Sequence, residues 1–220
     1  MLTPALACAL LAATPAPAPA RLAVDVVVER VQRRYDAASD FRARFTQTLT
    51  STAMGRKTNS AGGVMFKKPG RMRWDYDKPE KATYVSDGGM LWLYEPEDQQ
   101  AFKQELKASQ LPAALAFLTG KGKLAAEFDI TAVAKSVYGM PGDYLLSLSP
   151  KVAEPQVKNI LFVVDPKTFD VRESVITDGQ GNLNDLTFAD IKTNNHLPES
   201  EFHFAPPPGV RVIDTAKLGK

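Results

Sequence analysis

The sequence predicts an α+β fold: an antiparallel meander of about eleven short strands with three helical pieces. Three observations predict it. Short runs alternate apolar and polar residues with period two, the signature of half-buried strands. Turns carrying Pro, Gly or Asp separate these runs at close and regular intervals, as an antiparallel meander requires. Two segments break the pattern and read as helices: a first one at spacings of three and four, and a later apolar one bounded by Pro112 and Gly120.

The elements follow in chain order. Over Arg21 to Ala37, residues Val24, Val27, Val28, Val31 and Tyr35 make one apolar stripe of a helix. Arg30, Arg33 and Arg34 fall mostly on the other side and read as solvated. Phe41-Arg-Ala-Arg-Phe-Thr-Gln-Thr-Leu49 then alternates, with Phe41, Ala43, Phe45, Gln47 and Leu49 sharing one face of a strand. Strands are expected next at Ala61–Lys67, Arg71–Asp75, Thr83–Ser86, Met90–Glu95 and Gln99–Glu105, with turns at Lys68-Pro-Gly70, Asp77-Lys-Pro79, Asp87-Gly-Gly89 and Glu95-Pro-Glu-Asp98. The helix over 111–120 is apolar nearly all round, so it is covered on both sides or itself covers something apolar. Strands resume at Glu127–Val133, Tyr144–Leu148, Asn159–Val164, Val171–Thr177 and Asn182–Lys192. Leu197 to Phe202 reads as a short helical turn, and Phe204 to Ile213 as a rigid link with a final short strand.

Composition narrows the function. At 220 residues the chain suits one domain, and it can bury roughly 70% of its unfolded surface without a metal or disulfide staple. A net charge of +2, with Lys and Arg scattered among Asp and Glu, argues against nucleic acid as a partner. Residues 21–220 contain no run of about twenty apolar residues that would span a bilayer as a helix. Residues 1–20 differ. Leu2 to Ala20 is uncharged, Leu6 to Ala13 resembles the apolar core of an export signal, and Thr14 to Ala20 offers small-residue cleavage sites. The basic segment that normally precedes such a core is missing. The single cysteine, Cys8, lies there, so a chain processed at Ala20 has no thiol for disulfides, catalysis or metal binding. Ala5-Leu-Ala-Cys8 partly resembles a lipid-acceptor motif but lacks its first leucine.

No catalytic constellation stands out, so an enzyme is not expected. His196 and His203 are the only histidines, and they lack the i, i+4 or cysteine partners of a metal site. Ser86 lacks the preceding glycine of a nucleophile elbow. Asp165, Asp170 and Asp178 lack calcium-loop spacing. Asp75, Asp77, Glu95 and Glu97 fall at strand ends and turns, where solvated charge is the default. There is no phosphate loop or dinucleotide fingerprint, and no cofactor or metal is expected. Apolar surface remains. On periodicity alone, helices packed on a sheet as a dry core explain it adequately.

The order of short motifs resembles the LolA family, the periplasmic carriers of outer-membrane lipoproteins. The motifs are Phe41-x-Ala-x-Phe-Thr-Gln47, Gly63-Val-Met-Phe-Lys-Lys-Pro69, Arg73-Trp-x-Tyr-x-x-Pro79, Val85-Ser-Asp-Gly88, Leu91-Trp-x-Tyr-x-Pro96, Leu148-x-Pro150 and Phe202-x-Phe-x-Pro-Pro-x-Gly209. Each is weak alone; their order and spacing, from about Val26 to Ile213, are specific. The resemblance implies an unclosed antiparallel half-barrel of eleven strands with a helical lid over a hydrophobic cavity. It implies that residues 21–220 form a single monomeric lipoprotein-carrier domain. Its implied partners are triacylated lipoproteins, an inner-membrane ABC-type release complex and an outer-membrane acceptor. Strand alternation joined to that fold assigns Phe41, Phe45, Val64, Phe66, Met72, Trp74, Leu91 and Leu93 to the acyl-chain cavity, with Leu115, Phe117 and Leu118 from the lid. Where family members carry an arginine that latches the lid, this chain has Lys68, whose ammonium lacks the planar fork of a guanidinium. Lys68 is expected to face the C-terminal carbonyls of the 111–120 helix. Two alternatives stay open: a lipid-anchored acceptor resembling the LolB relative, and a lipid-binding or sensor module on the same fold.

Overall fold

The computed structural model describes residues 21–105 and 122–217. Helix α1 (Val24–Asp36) leads into β1 (Asp40–Ser51), β2 (Arg56–Lys67), β3 (Arg71–Lys78), β4 (Ala82–Ser86), β5 (Met90–Glu95) and β6 (Gln100–Glu105). After the 106–121 segment come α2 (Leu124–Glu127), β7 (Phe128–Ala132), β8 (Tyr144–Pro150), β9 (Asn159–Val164), β10 (Val171–Thr177) and β11 (Leu183–Thr193). A 3-10 turn (Glu199–Phe202), β12 (Arg211–Asp214) and a last 3-10 turn (Thr215–Lys217) complete the described chain. The apolar 111–120 segment, with Leu115, Phe117 and Leu118, lies outside the described residues, as do residues 1–20.

Among the described residues the strands form one unclosed sheet of twelve, in the order β12-β6-β5-β4-β3-β2-β1-β11-β10-β9-β8-β7. The count exceeds the expected eleven because the final short strand pairs with β6, and that pairing is parallel. All other neighbours are antiparallel. The sheet has two meanders, β1–β6 and β7–β11, joined where β1 pairs with β11. The first strand of the second meander thus ends up at an outer edge, and its last strand closes onto the centre.

Helix α1 lies against the second meander. Its buried stripe is Val27, Val28, Val31 and Tyr35, as the spacing predicts. Tyr35 Oη accepts a hydrogen bond from the Val171 amide at 3.0 Å. Burial pushes its hydroxyl well above the ordinary tyrosine range. Arg34, expected to be solvated, is an anchor: its Nε pairs with Asp170 at 2.8 Å and its Nη1 donates to Thr193 at 3.0 Å. Arg30 lies over the Phe169 ring, 5.1 Å from its centroid. The guanidinium stems cover apolar surface while their heads stay near water.

The C-terminal chain covers part of the opposite, convex face, where Arg42 and Arg44 of β1 stay exposed. Buried Asp40 accepts the amides of Asn195 (2.7 Å) and Leu197 (3.2 Å), which pins the start of the C-terminal segment. Burial alone would raise its pKa, but these amide bonds outweigh burial and hold the carboxyl below its usual range. Lys67 and Arg71 both pair with Glu199, at 2.7 and 2.9 Å. Phe202 is fully buried, exposed His203 turns away from it, and Phe204 packs against Trp92 and Tyr94 with centroids at 5.3 Å.

Candidate functional site

The concave face is built from registered rows. Residues directly opposite one another on neighbouring strands point to the same side of a sheet. One row runs Phe41, Phe66, Met72, Ser86, Leu91 and Gln104 across β1 to β6. The next runs Ala43, Val64, Trp74, Tyr84, Leu93 and Phe102, and reaches Ile213 on β12. The eight sheet residues assigned from alternation therefore share one face, and that face is apolar across seven strands.

They do not share one degree of burial. Phe41, Phe45, Val64, Phe66, Met72 and Trp74 are at most 7% exposed and belong to one contiguous cluster with the α1 stripe. Leu91 and Leu93 are half-buried, as are Tyr84 and Phe102 beside them. The aromatic side chains interlock. Phe45 lies edge-on to Trp74 at 4.8 Å and to Tyr76 at 5.0 Å. Gly62 makes room for that ring, because a Cβ there would fall 2.9 Å from Phe45 Cε1 and 1.9 Å from the Asp75 carbonyl oxygen.

The second meander contributes residues that alternation did not assign. Ser174, Phe162 and Leu146 continue the row from Leu186, while Ile176, Ile160 and Leu148 continue it from Asn184. Phe188 lies opposite Phe45. The signal for these residues is weak: 159–164 is a near-continuous apolar run, in which periodicity does not choose a face. At the far ends of these strands Leu49, Val157, Ile176, Leu183 and Asn184 border a cavity of about 330 Å³.

Lys68 binds helix-terminal carbonyls, those of α1. Its Nζ donates to Tyr35 O at 2.7 Å and Asp36 O at 2.9 Å. Burial lowers its pKa, while nearby Asp36 opposes that shift. Lys123, just before α2, pairs with Asp36 at 2.6 Å, and the Leu124 amide donates to Gln32 Oε1 at 2.9 Å. The β2–β3 turn, the C-terminus of α1 and the start of α2 therefore meet at one charged knot. The expected partner of Lys68, the 111–120 segment, lies outside the described residues.

An open antiparallel sheet with an apolar concave face and a helix across part of it suits a lipid-sized apolar ligand. Residues 36–205 match the family described as "Outer membrane lipoprotein carrier protein LolA". The chain belongs to this family. Outer-membrane lipoprotein carrier protein of Pseudomonas aeruginosa PAO1 is 32% identical over 192 residues, covering 84% of this chain and 86% of that one. The protein of the same name from Methylococcus capsulatus Bath is 29% identical over 185 residues, with the same coverage. The crystal structure of an uncharacterized conserved protein from Thermus thermophilus superposes with a TM-score of 0.55 at 13% identity, covering 86% of this chain and 98% of that one. At that identity the likeness concerns the fold alone. No helix among the described residues of this LolA-family chain is long and apolar enough to cross a membrane.

Proposed function

We propose that this chain is a periplasmic carrier that shields the acyl chains of lipoproteins on its concave face. It receives them from an inner-membrane ABC-type release complex and passes them to an outer-membrane acceptor. The observation that carries this reading is the half-buried apolar row Tyr84, Leu93 and Phe102, continuous with a tightly packed aromatic cluster, in a chain of the lipoprotein-carrier family. In this reading residues 1–20 are a removable export signal, and residues 21–220 act as one monomeric, non-enzymatic domain.

The energetics favour shielded handover. Each buried methylene is worth about 0.8 kcal/mol, so exposing one long chain costs roughly 12 kcal/mol. A free lipoprotein therefore does not cross water unaided, and transfer without nucleotide runs toward the tighter binder. Lys68 serves as a latch between the β2–β3 turn and α1, and the Leu91 and Leu93 side of the sheet is where chains lodge.

The test is native mass spectrometry of protein isolated from its own periplasm, with photo-crosslinkers at Leu93 and Tyr84. Bound triacylated polypeptide, crosslinked from both positions, supports the reading. Cargo-free protein, with no crosslink from either position, rejects it. N-terminal analysis of the same sample separates a processed carrier beginning near Arg21 from an anchored acceptor acylated at Cys8.

A further inference from the structure

The apolar face is crossed diagonally by a band of hydrogen-bonding side chains. Along β1 the concave positions read Phe41, Ala43, Phe45, Gln47 and Leu49. Gln47 is buried. Its Oε1 accepts from Tyr76 Oη at 3.2 Å, and its Nε2 donates to Asn184 Oδ1 at 2.9 Å. Ser60 stands directly opposite Gln47 on β2. Tyr84, opposite Trp74 on β4, continues the diagonal, its ring 5.8 Å from that of Tyr76. On one side of Gln47 lie the Phe45–Trp74–Phe188 aromatics; on the other lie Leu49 and the cavity bordered by Asn184.

An apolar cargo alone gives no reason for such a band, because polar groups in an apolar face cost free energy unless every one is matched. The unspent amide hydrogens can only donate. Gln47 carries two amide hydrogens and spends one on Asn184. Asn184 Nδ2 has no acceptor among the described residues, and neither does the hydroxyl of Tyr84 or Ser60. The leftover amide hydrogens of Gln47 and Asn184 are fixed donors and the hydroxyls of Tyr84 and Ser60 can donate beside them, which suits a ligand group that only accepts.

We propose that the Tyr84–Tyr76–Ser60–Gln47–Asn184 band is a subsite for acyl carbonyls, the ester or amide oxygens that join lipid chains to their polar head. This rests on the carrier reading and sharpens it. The hydrocarbon lies over the apolar floor, the carbonyls stop at the band, and the polypeptide leaves past Leu49 and the adjoining cavity. The band sets how deep a chain sits and distinguishes acylated cargo from plain hydrocarbon.

The test compares two synthetic probes on the full mature chain. One is a diacylglyceryl-cysteine peptide with palmitoyl esters; the other is the same peptide with ether-linked hexadecyl chains, which have no carbonyl. Wild type is expected to bind the ester probe roughly tenfold more tightly, the size of one or two net hydrogen bonds. Gln47→Met should erase that preference while retaining ether binding. Should Gln47→Met fail to fold, Tyr76→Phe and Asn184→Leu, at half-buried positions, should each reduce the preference severalfold. Equal binding of both probes by wild type, or equal losses on both probes in every folded variant, overturns the subsite and leaves the carrier reading intact. Binding of neither probe by wild type overturns both.

Discussion

The two meanders share one concave face but differ in how it is covered. In the second meander Leu146, Leu148, Ile160, Phe162 and Val164 are buried to within 2% exposure, and α1 is fixed to the adjoining hairpin through Arg34–Asp170 and Tyr35–Val171. In the first meander the outer strands present Tyr84, Leu91, Leu93 and Phe102 only half-buried, although the C-terminal chain covers part of their convex side. The second meander is closely packed, while the outer strands of the first keep apolar surface partly exposed beyond its own buried residues. A carrier needs both. The packed half supplies the stability that lets the other half leave apolar area uncovered, because burial per unit area is what stabilises a fold.

This contrast can be broken most directly by truncation. Phe162→Ala should cost about 3–5 kcal/mol of unfolding free energy, as large-to-small changes in a closed core do. Leu93→Ala should cost only about 1 kcal/mol, since a half-buried leucine has less burial to lose. Denaturant unfolding of both variants measures this, and similar losses would show that the halves are equally closed.

The cover on the convex side is the next largest effect. Asp40 has a lowered pKa when folded, so its stabilisation is present above the unfolded value near ~3.9 and is lost as pH falls through the folded value. Asp40→Asn should cost about 2 kcal/mol at neutral pH, the scale of hydrogen bonds to a charged group. The gap from wild type should narrow steadily once pH drops below ~4. A gap independent of pH would mean that the strap is held by packing alone.

The smallest effect sharpens the comparison, since Lys68 is where the first meander grips the helix of the second. Lys68→Met should destabilise by about 1 kcal/mol, the usual size for a cation at a helix C-terminus. It should also broaden the distance distribution between spin labels on α1 and the β2–β3 turn. Unchanged distances would show that Arg34 and Tyr35 hold α1 without help from the first meander.

Much of this was legible in the chain. The stripe of α1, the positions of the strands along the chain and the shared parity of Phe41, Phe45, Val64, Phe66, Met72, Trp74, Leu91 and Leu93 follow from periods of two and three to four. Arg34 reads as solvated in the sequence, because its partner Asp170 is far away along the chain and nothing local marks the pair. Phe162 and Ile160 escape assignment because an unbroken apolar run has no phase. Lys68 reads in the sequence as a cation for the carbonyls ending the 111–120 helix, whereas the fold shows it on the carbonyls of α1, a contact that no local pattern marks.

The sequence by itself determined the local elements, since turn residues and apolar periodicity act over a few positions and need no partner to be read. It also determined the family, through the order of its short motifs. The tertiary structure decided which face each apolar run joins, which strand closes on β1, and where α1 lies. Those choices rest on contacts between residues more than a hundred positions apart, such as Tyr35 with Val171 and Gln47 with Asn184. No local pattern encodes such a contact, because its free energy exists only once the sheet has brought both partners together.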